Sequence, residues 1–330
     1  MGILCLSDGE EKMQSDTIMS SRLQNSITVK KQELDRNRPF PSAVVKKLEE
    51  EFLLEWTYNS NAIEGNTLSL RETELVMNRG LTIGGKSLRE HFEVINHAEA
   101  IKYLESFIEK KTDLSDDFIC GLHRRILHNI DELEAGMYRR HNVRIMGANH
   151  LPPAAAKVQR LMDDLVDWYT RNVETMWVPD LAAEFHHRFL HVHPFMDGNG
   201  RTARLLMNFI LMQDGYPPAV VLRVDRKKYY RVLQKADGGN LVPFVDFIGR
   251  SIERSLIIYL NAIKPPDEHE SGGGYISLHD ATQYCDYSQE YLSLLARTGK
   301  LDAVKFGRNW MTSREAIETY IELVKFERKE

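Results

Sequence analysis

Over most of its length this chain brings apolar residues back every three or four positions, and that period admits little besides packed helices. From Pro41 onward Val44, Val45, Leu48, Phe52, Leu53 and Trp56 fall on one stripe, the pattern of a helix with one buried face. The segment 93–108 repeats it with Val94, Ala98, Ile101, Leu104 and Ile108. So do 116–127, 154–169, 181–191, 202–213, 227–235 and 242–260. The spacing predicts a mainly α fold. Two stretches break the period. Residues 143–146, ahead of a turn with Gly147, Asn149, Pro152 and Pro153, read as part of a short β-hairpin over 143–153. Residues 265–274, PPDEHESGGG, read as a linker. The expected order is a polar, loosely held arm over 1–38 with room for one helix, a helical domain over 39–264, the linker, and a small domain over 275–330.

A chain of 330 residues can bury one large core and a smaller one. Its 42% hydrophobic and 28% charged residues are ordinary, and a net charge of −5 exerts no general pull on nucleic acid or anionic membrane. Cys5, Cys120 and Cys285 lie far apart with no CxxC pair. That speaks against a disulfide framework or a zinc site and fits a reducing compartment. Apolar runs stay far below the roughly 20 residues of a spanning helix. The first ten residues lack the basic start of a signal peptide. A cytoplasmic protein with no membrane partner is expected.

Chemistry concentrates in HVHPFMDGNGRTARLLMNFILMQDG, 191–215. Asp197-Gly198-Asn199-Gly200 is a strong turn, and it leads into a helix expected to open at about Thr202. Unpaired N–H groups and the macrodipole at such a start favour an anion. Two glycines let the backbone approach a phosphate. Arg201 and Arg204 share a helix face, and their planar forks suit phosphate oxygens. The Asp197 carboxylate beside phosphates is a natural seat for Mg2+. His193 can take a hydroxyl proton near neutral pH.

The segment resembles the signature of the Fic family, HxFx[D/E]GNGRxxR. His193, Phe195, Asp197, Gly198, Asn199, Gly200, Arg201 and Arg204 fill its fixed positions. The resemblance covers about residues 40–262 and implies a protein adenylyltransferase that uses ATP and Mg2+. In that reading His193 deprotonates the target hydroxyl, Asp197 holds Mg2+, and Gly198, Asn199 and Gly200 cradle the α- and β-phosphates. Arg201 and Arg204 grip the β/γ end, and Phe195 anchors the loop. The hairpin at 143–153 is similar to the family's flap, on which a target protein docks by strand pairing. Tyr229 and Tyr230 match the aromatic pair beside the base, with Asp237 where the family often has Asn at the adenine edge. The two tyrosines also read as plain core aromatics. Removal of AMP, or transfer of another phosphate-containing group, remains open on the same loop, as does self-association.

Ser60 and Glu64 in SNAIEGN share a helix face, and Gly65 and Asn66 suit a helix end. Beside a Fic loop this resembles the family's inhibitory pattern [S/T]xxxE[G/N]. It implies an inhibitory helix over about 41–65 whose Glu64, with Ser60, pairs with Arg204 and denies it to the γ-phosphate.

Two other patterns compete. The run from Gly80 to Ser87, GLTIGGKS, fits GxxxxGK[ST], but a helix over 73–78 precedes it where a P-loop needs a strand. His187 and His191 have HxxxH spacing, but Arg188 stands where a zincin needs Glu. Residues 275–330 read helix, helix, strand, strand, helix and resemble a winged helix-turn-helix. Eight Lys and Arg against nine Asp and Glu there favour protein docking or dimerisation over DNA binding. A nucleotide-sensing DNA-binding regulator is the remaining alternative.

Overall fold

The computed structural model describes residues 17–147, 150–263, 275–298, 300–306 and 309–327. The helices expected from Pro41 onward are present, and α1 (Ser21–Arg36) precedes them: α2 (Ser42–Ile63), α3 (Leu70–Arg79), α4 (Leu88–Glu109), α5 (Asp116–Leu127), α6 (Val158–Asn172), α7 (Val178–Val192), α8 (Asn199–Gln213), α9 (Arg226–Asp237) and α10 (Val242–Ile263). Local sequence sets several ends. Ser69 with Glu72 and Ser87 with Glu90 form capping boxes at α3 and α4, and Gly80 closes α3 in a left-handed conformation. The GLTIGGKS run is therefore an interhelical loop, and its Ser87 is spent as a helix cap.

α8 is the axis of the domain. Every residue from Arg201 to Leu211 on it is buried, which only a helix enclosed on all sides allows. α7 packs along it, and α2, α4 and α5 cover its other faces. Over the described residues 17–38, α1 overturns the expectation of a loosely held arm. It lies along α10 with Ile27 and Leu34 fully buried. The chain just before it is pinned by Asp180 on α7, which accepts from the Ile18 and Met19 N–H groups at 2.7 and 3.2 Å. Its polar composition misled because only one narrow stripe is apolar.

The hairpin expected over 143–153 also differs. Among the described residues its arms share no strand ladder. A lone two-stranded ribbon is marginal in water, and side chains hold this loop instead. Asn142 accepts from Ala155 N–H at 2.8 Å, and Gln234 donates to the Gly147 carbonyl at 2.9 Å.

The linker over 265–274 lies outside the described residues. Beyond it come β1 (Tyr275–Ser277), α11 (Leu278–Ala281), α12 (Gln289–Thr298), β2 (Ala303–Phe306), β3 (Asn309–Ser313) and α13 (Arg314–Glu327). The strands form an antiparallel sheet ordered β1-β3-β2 over a separate core that includes Leu278, Leu292, Leu295, Leu301 and Ile317. This is the winged-helix order, with β1 as an unforeseen third strand.

If α1 is part of the main core, Leu34→Ala should cost about 2–5 kcal/mol in urea unfolding, the usual range for a buried Leu. A loss within about 0.5 kcal/mol, typical of surface changes, would return α1 to the status of an arm.

Candidate active site

The Fic-like loop joins α7 to α8, and both ends are held by unusual backbone. His193 caps α7 in the left-handed region at φ 51°, a conformation costing a non-glycine residue roughly 1–2 kcal/mol. Arg139 holds it there. Its Nε donates to the His193 carbonyl at 2.8 Å, and its own N–H donates to the Pro194 carbonyl at 2.9 Å. The same buried guanidinium reaches Pro153 O at 2.6 Å and His141 O at 3.1 Å. It thus ties the Fic-like loop to Pro153 at the end of the 143–153 segment and to His141 just ahead of it. Asn199 closes the loop, accepting from Phe195 N–H and donating to Phe195 O, both at 2.9 Å. Phe195 is fully buried and stacks on His123 with ring centroids 3.5 Å apart.

α8 opens at Asn199, three residues before the expected Thr202. Gly198 takes φ 77° as its N-cap, and Thr202 N–H makes the first helical bond to Gly198 O at 2.9 Å. The helix-start N–H groups therefore belong to the GNG segment itself. Arg201 and Arg204 are buried beside this start, 2% exposed each. Arg201 lies 3.6 Å from Glu93 and 3.5 Å from Asp197. Arg204 donates to Ser60 Oγ at 3.0 Å, Ser60 O at 2.8 Å and Glu64 Oε1 at 2.8 Å. Among the described residues, Arg201 Nε and Nη1 and Arg204 Nη1 are buried without a hydrogen-bond partner. Glu64 caps α2, and its Oε1 stands 2.1 Å from where a Cβ at position 200 would be. Its carboxylate thus rests against the helix start itself.

Asp197 has a half-exposed side chain that accepts from Gly198 N–H at 2.6 Å and pairs with Arg89 Nη2 at 2.5 Å. Burial opposes its charge, but Arg201, the Gly198 N–H and Arg89 outweigh it and hold the carboxyl below its usual range. Burial pushes the His193 imidazole down to about 4, against weaker upward pulls from the Leu190 backbone and Glu64. It is neutral at physiological pH, with a lone pair to accept a proton.

The nucleotide-side expectations divide. Tyr230 is half-buried and reaches Glu64 Oε2 at 3.4 Å. Tyr229 is 1% exposed and shares a hydrogen bond with His186 at 2.8 Å. It is a core residue behind Tyr230, with no face open to a base. Asp237 pairs with His187 Nε2 at 3.0 Å and lies 3.7 Å from His191 Nδ1. Burial opposes its charge, yet the bond from His187 and the nearby His191 ring hold its carboxyl well below the usual range.

Residues 113–211 match the profile of the Fic/DOC family. The chain is 39% identical over 224 residues to a protein adenylyltransferase Fic of Nematostella vectensis, spanning 67% of this chain and 52% of that protein. It is similar to a Fic-domain signalling protein of Bacteroides thetaiotaomicron at 30% identity and TM-score 0.69, covering 75% of this chain and all of that one. Fic-1 of C. elegans follows at 34% identity and TM-score 0.68, covering 73% of each. This chain belongs to the Fic family. It spans about half the length of the curated relatives it matches.

Four residues of this Fic site escaped the sequence reading. Arg139 sits in an irregular stretch that no pattern marks. Arg89 and Glu93 face the loop from α4, which periodicity reads only as a core helix. His123 lies on the apolar face of α5. Its Nδ1 accepts from Gly136 N–H at 3.0 Å, so its Nε2–H donates to Asp197 O at 2.9 Å. That double duty requires a neutral ring.

Burial lowers four imidazoles in this domain: His123 and His193 to about 4, His186 to about 3, and His97 in the same direction. A lowered imidazole contributes stability fully above its unfolded value near 6.5, and that stability is lost as pH falls toward the folded value. Asp180, raised by burial to about 6, works the other way, since its contribution is present at low pH and lost as pH rises from about 3.8. Glu105, also raised by burial, works in the same direction as Asp180. Four imidazoles outweigh two carboxyls, so the urea midpoint should fall between pH 6.5 and 4. An unchanged midpoint across that window would refute buried neutral histidines.

Proposed function

We propose that this protein transfers AMP from ATP to a Ser, Thr or Tyr hydroxyl of another protein, restrained by its own Glu64. The observation that carries the reading is the set of buried guanidinium donors on Arg201 and Arg204 that make no hydrogen bond at the start of α8. Each such donor costs about 1–3 kcal/mol if left unmade, and phosphate oxygens answer the deficit. The adenylyltransferase names of its relatives support the same chemistry.

The GNG backbone and Arg201 would seat the phosphates, with Tyr230 on the base side and Asp237 at its edge. The target hydroxyl attacks the α-phosphorus. A new O–P bond forms, the bond from the α-phosphorus to the bridging oxygen breaks, and pyrophosphate leaves. His193 takes the hydroxyl proton. Its low basicity rises when anionic phosphates enter, because nearby negative charge favours the imidazolium. Asp197 fits Mg2+ by its chemistry, an ionised, half-exposed carboxylate beside the phosphate seat. Held there with substrate phosphates, the ion would neutralise charge on the leaving group. Arg89 must then yield one carboxylate oxygen. Most of the acceleration is positioning and charge stabilisation.

The Glu64 carboxylate would stand where a γ-phosphate would, since it accepts from Arg204 Nη2 and lies against Gly200. Productive ATP must displace it. The 143–153 segment, with Met146 98% and Leu151 65% exposed, is the natural docking edge for a target. For residues 275–330 we favour protein docking over DNA, because α12 exposes Tyr291 and Leu294 and has no basic stripe.

ATP labelled at the α-phosphate tests the reading with the parent, Glu64→Gly and His193→Ala. Protein-bound label should rise in Glu64→Gly and fall at least about a hundredfold in Glu64→Gly/His193→Ala, the low end for loss of a general base. Label from the γ-phosphate alone would mark a kinase-like relative. A glycine variant no faster than the parent would refute restraint by Glu64. Release of AMP from a pre-modified protein, without forward transfer, would reassign the loop to removal.

A further inference from the structure

A second cluster of chemistry stands beside the loop and is not used by AMP transfer. His150 from the 143–153 segment, His191 from the end of α7 and Asp237 from the end of α9 bring ligand atoms within 4.8 Å of one another. The geometry points to a transition-metal site here, taking Zn2+ in a three-ligand shell with one position open.

Four features of the cluster suit an ion. Two imidazoles and one carboxylate are the donor set of zinc, with a solvent or substrate position left over. Tetrahedral ligands around zinc lie roughly 3.4 Å apart, given bonds near 2.0–2.1 Å. His191 Nδ1 and Asp237 Oδ1 are already at 3.7 Å. The ring of His150 bonds the His191 carbonyl through Nε2 at 2.8 Å and stacks on the His191 ring with centroids 3.9 Å apart, so one ring must swing out of the stack for both to meet an ion. A carbonyl only accepts, so Nε2 carries the proton and Nδ1 keeps its lone pair, the arrangement common to metal-bound histidines. Asp237 is oriented from outside the cluster by His187 Nε2 at 3.0 Å. The HxxxH spacing thus does have a use, because it places His187 and His191 on one face of α7 toward the same carboxylate.

The scattered cysteines had argued against zinc, but this donor set needs none. Its consequence is mechanical. The three ligands come from three separate segments, and Zn2+ would staple the 143–153 segment to α7 and α9. A further consequence rests on the AMP-transfer reading. Asp237 also stands at the proposed adenine edge, so metal and nucleotide would compete for it.

The test measures metal alone, so its failure is separate from failure of AMP transfer. Tag-free full-length protein, dialysed against chelator, is titrated with Zn2+ in competition with a chromophoric chelator, and with Co2+ followed by its visible spectrum. One Zn2+ per chain and the intense bands of four-coordinate Co2+ are expected. His150→Ala should abolish the stoichiometric site. His187→Ala, which removes only the outer hydrogen bond, should weaken it by about 10–100-fold. His128→Ala, at a surface histidine paired with Glu132, should leave it unchanged. Adenosine, which carries the base without chelating phosphates, should lower zinc affinity. No stoichiometric binding by the parent, weak six-coordinate Co2+ bands, or equal affinity in His150→Ala would overturn the site. Unchanged zinc affinity with adenosine would overturn the competition.

Discussion

The buried guanidinium of Arg204 is the constraint around which this domain is arranged. A permanent charge on a helix enclosed on all sides must be met from outside that helix. Burial opposes the charge and Glu64 restores it, leaving Arg204 more firmly protonated than in water. The partners come from the last turn of α2, where Ser60 gives two oxygens and Glu64 a third. That turn cannot drift. Asn59 accepts from Arg223 N–H, Asn61 reaches the Glu93 carbonyl, and Arg226 holds the Ile63 carbonyl at 2.6 Å. Removing one partner of a buried pair strands the other and costs roughly 3–5 kcal/mol. Here Glu64 keeps 32% side-chain exposure, so solvent screens its share and the cost of its release is smaller. A pair with one fixed and one half-solvated member suits a restraint that a phosphate can replace.

The sequence made much of this legible, for identifiable reasons. Helical period depends on burial of one face, and α5 and the start of α10 fall where the apolar stripes place them. The Fic loop was readable because its residues are contiguous, as were Ser60 and Glu64 at i, i+4. Their shared contact with Arg204, 140 or more positions away, came only through family resemblance. Tyr229 was misplaced toward the base, since adjacent residues on a helix point about 100° apart and only one of the pair can face the cleft. The 143–153 hairpin was expected from turn residues, which mark a reversal without supplying the sheet that would make it a ladder. His123 and Arg139 were invisible because their roles rest on backbone atoms, and backbone atoms leave no trace in residue type.

Charge is handled differently on the two sides of the loop. Toward the start of α8, guanidinium groups are partly without hydrogen bonds. Toward the core, histidines are kept neutral by burial, and His123 uses both ring nitrogens to join Gly136 to Asp197 O. The loop is therefore held from behind by neutral His123 and by the Arg139 guanidinium, while the buried Arg201 and Arg204 keep donors that make no hydrogen bond. Entry of an anion can proceed without rebuilding the support.

The position of Arg139 has a wider consequence. One planar side chain holds the His193 carbonyl with one edge and the Pro153 and His141 carbonyls with another. Free energy exchanged at either end must be felt at the other, by reciprocal linkage. A target that straightens the 143–153 segment on docking would then tilt the imidazole at no extra step. Recognition and proton transfer would be two readings of a single rigid fork.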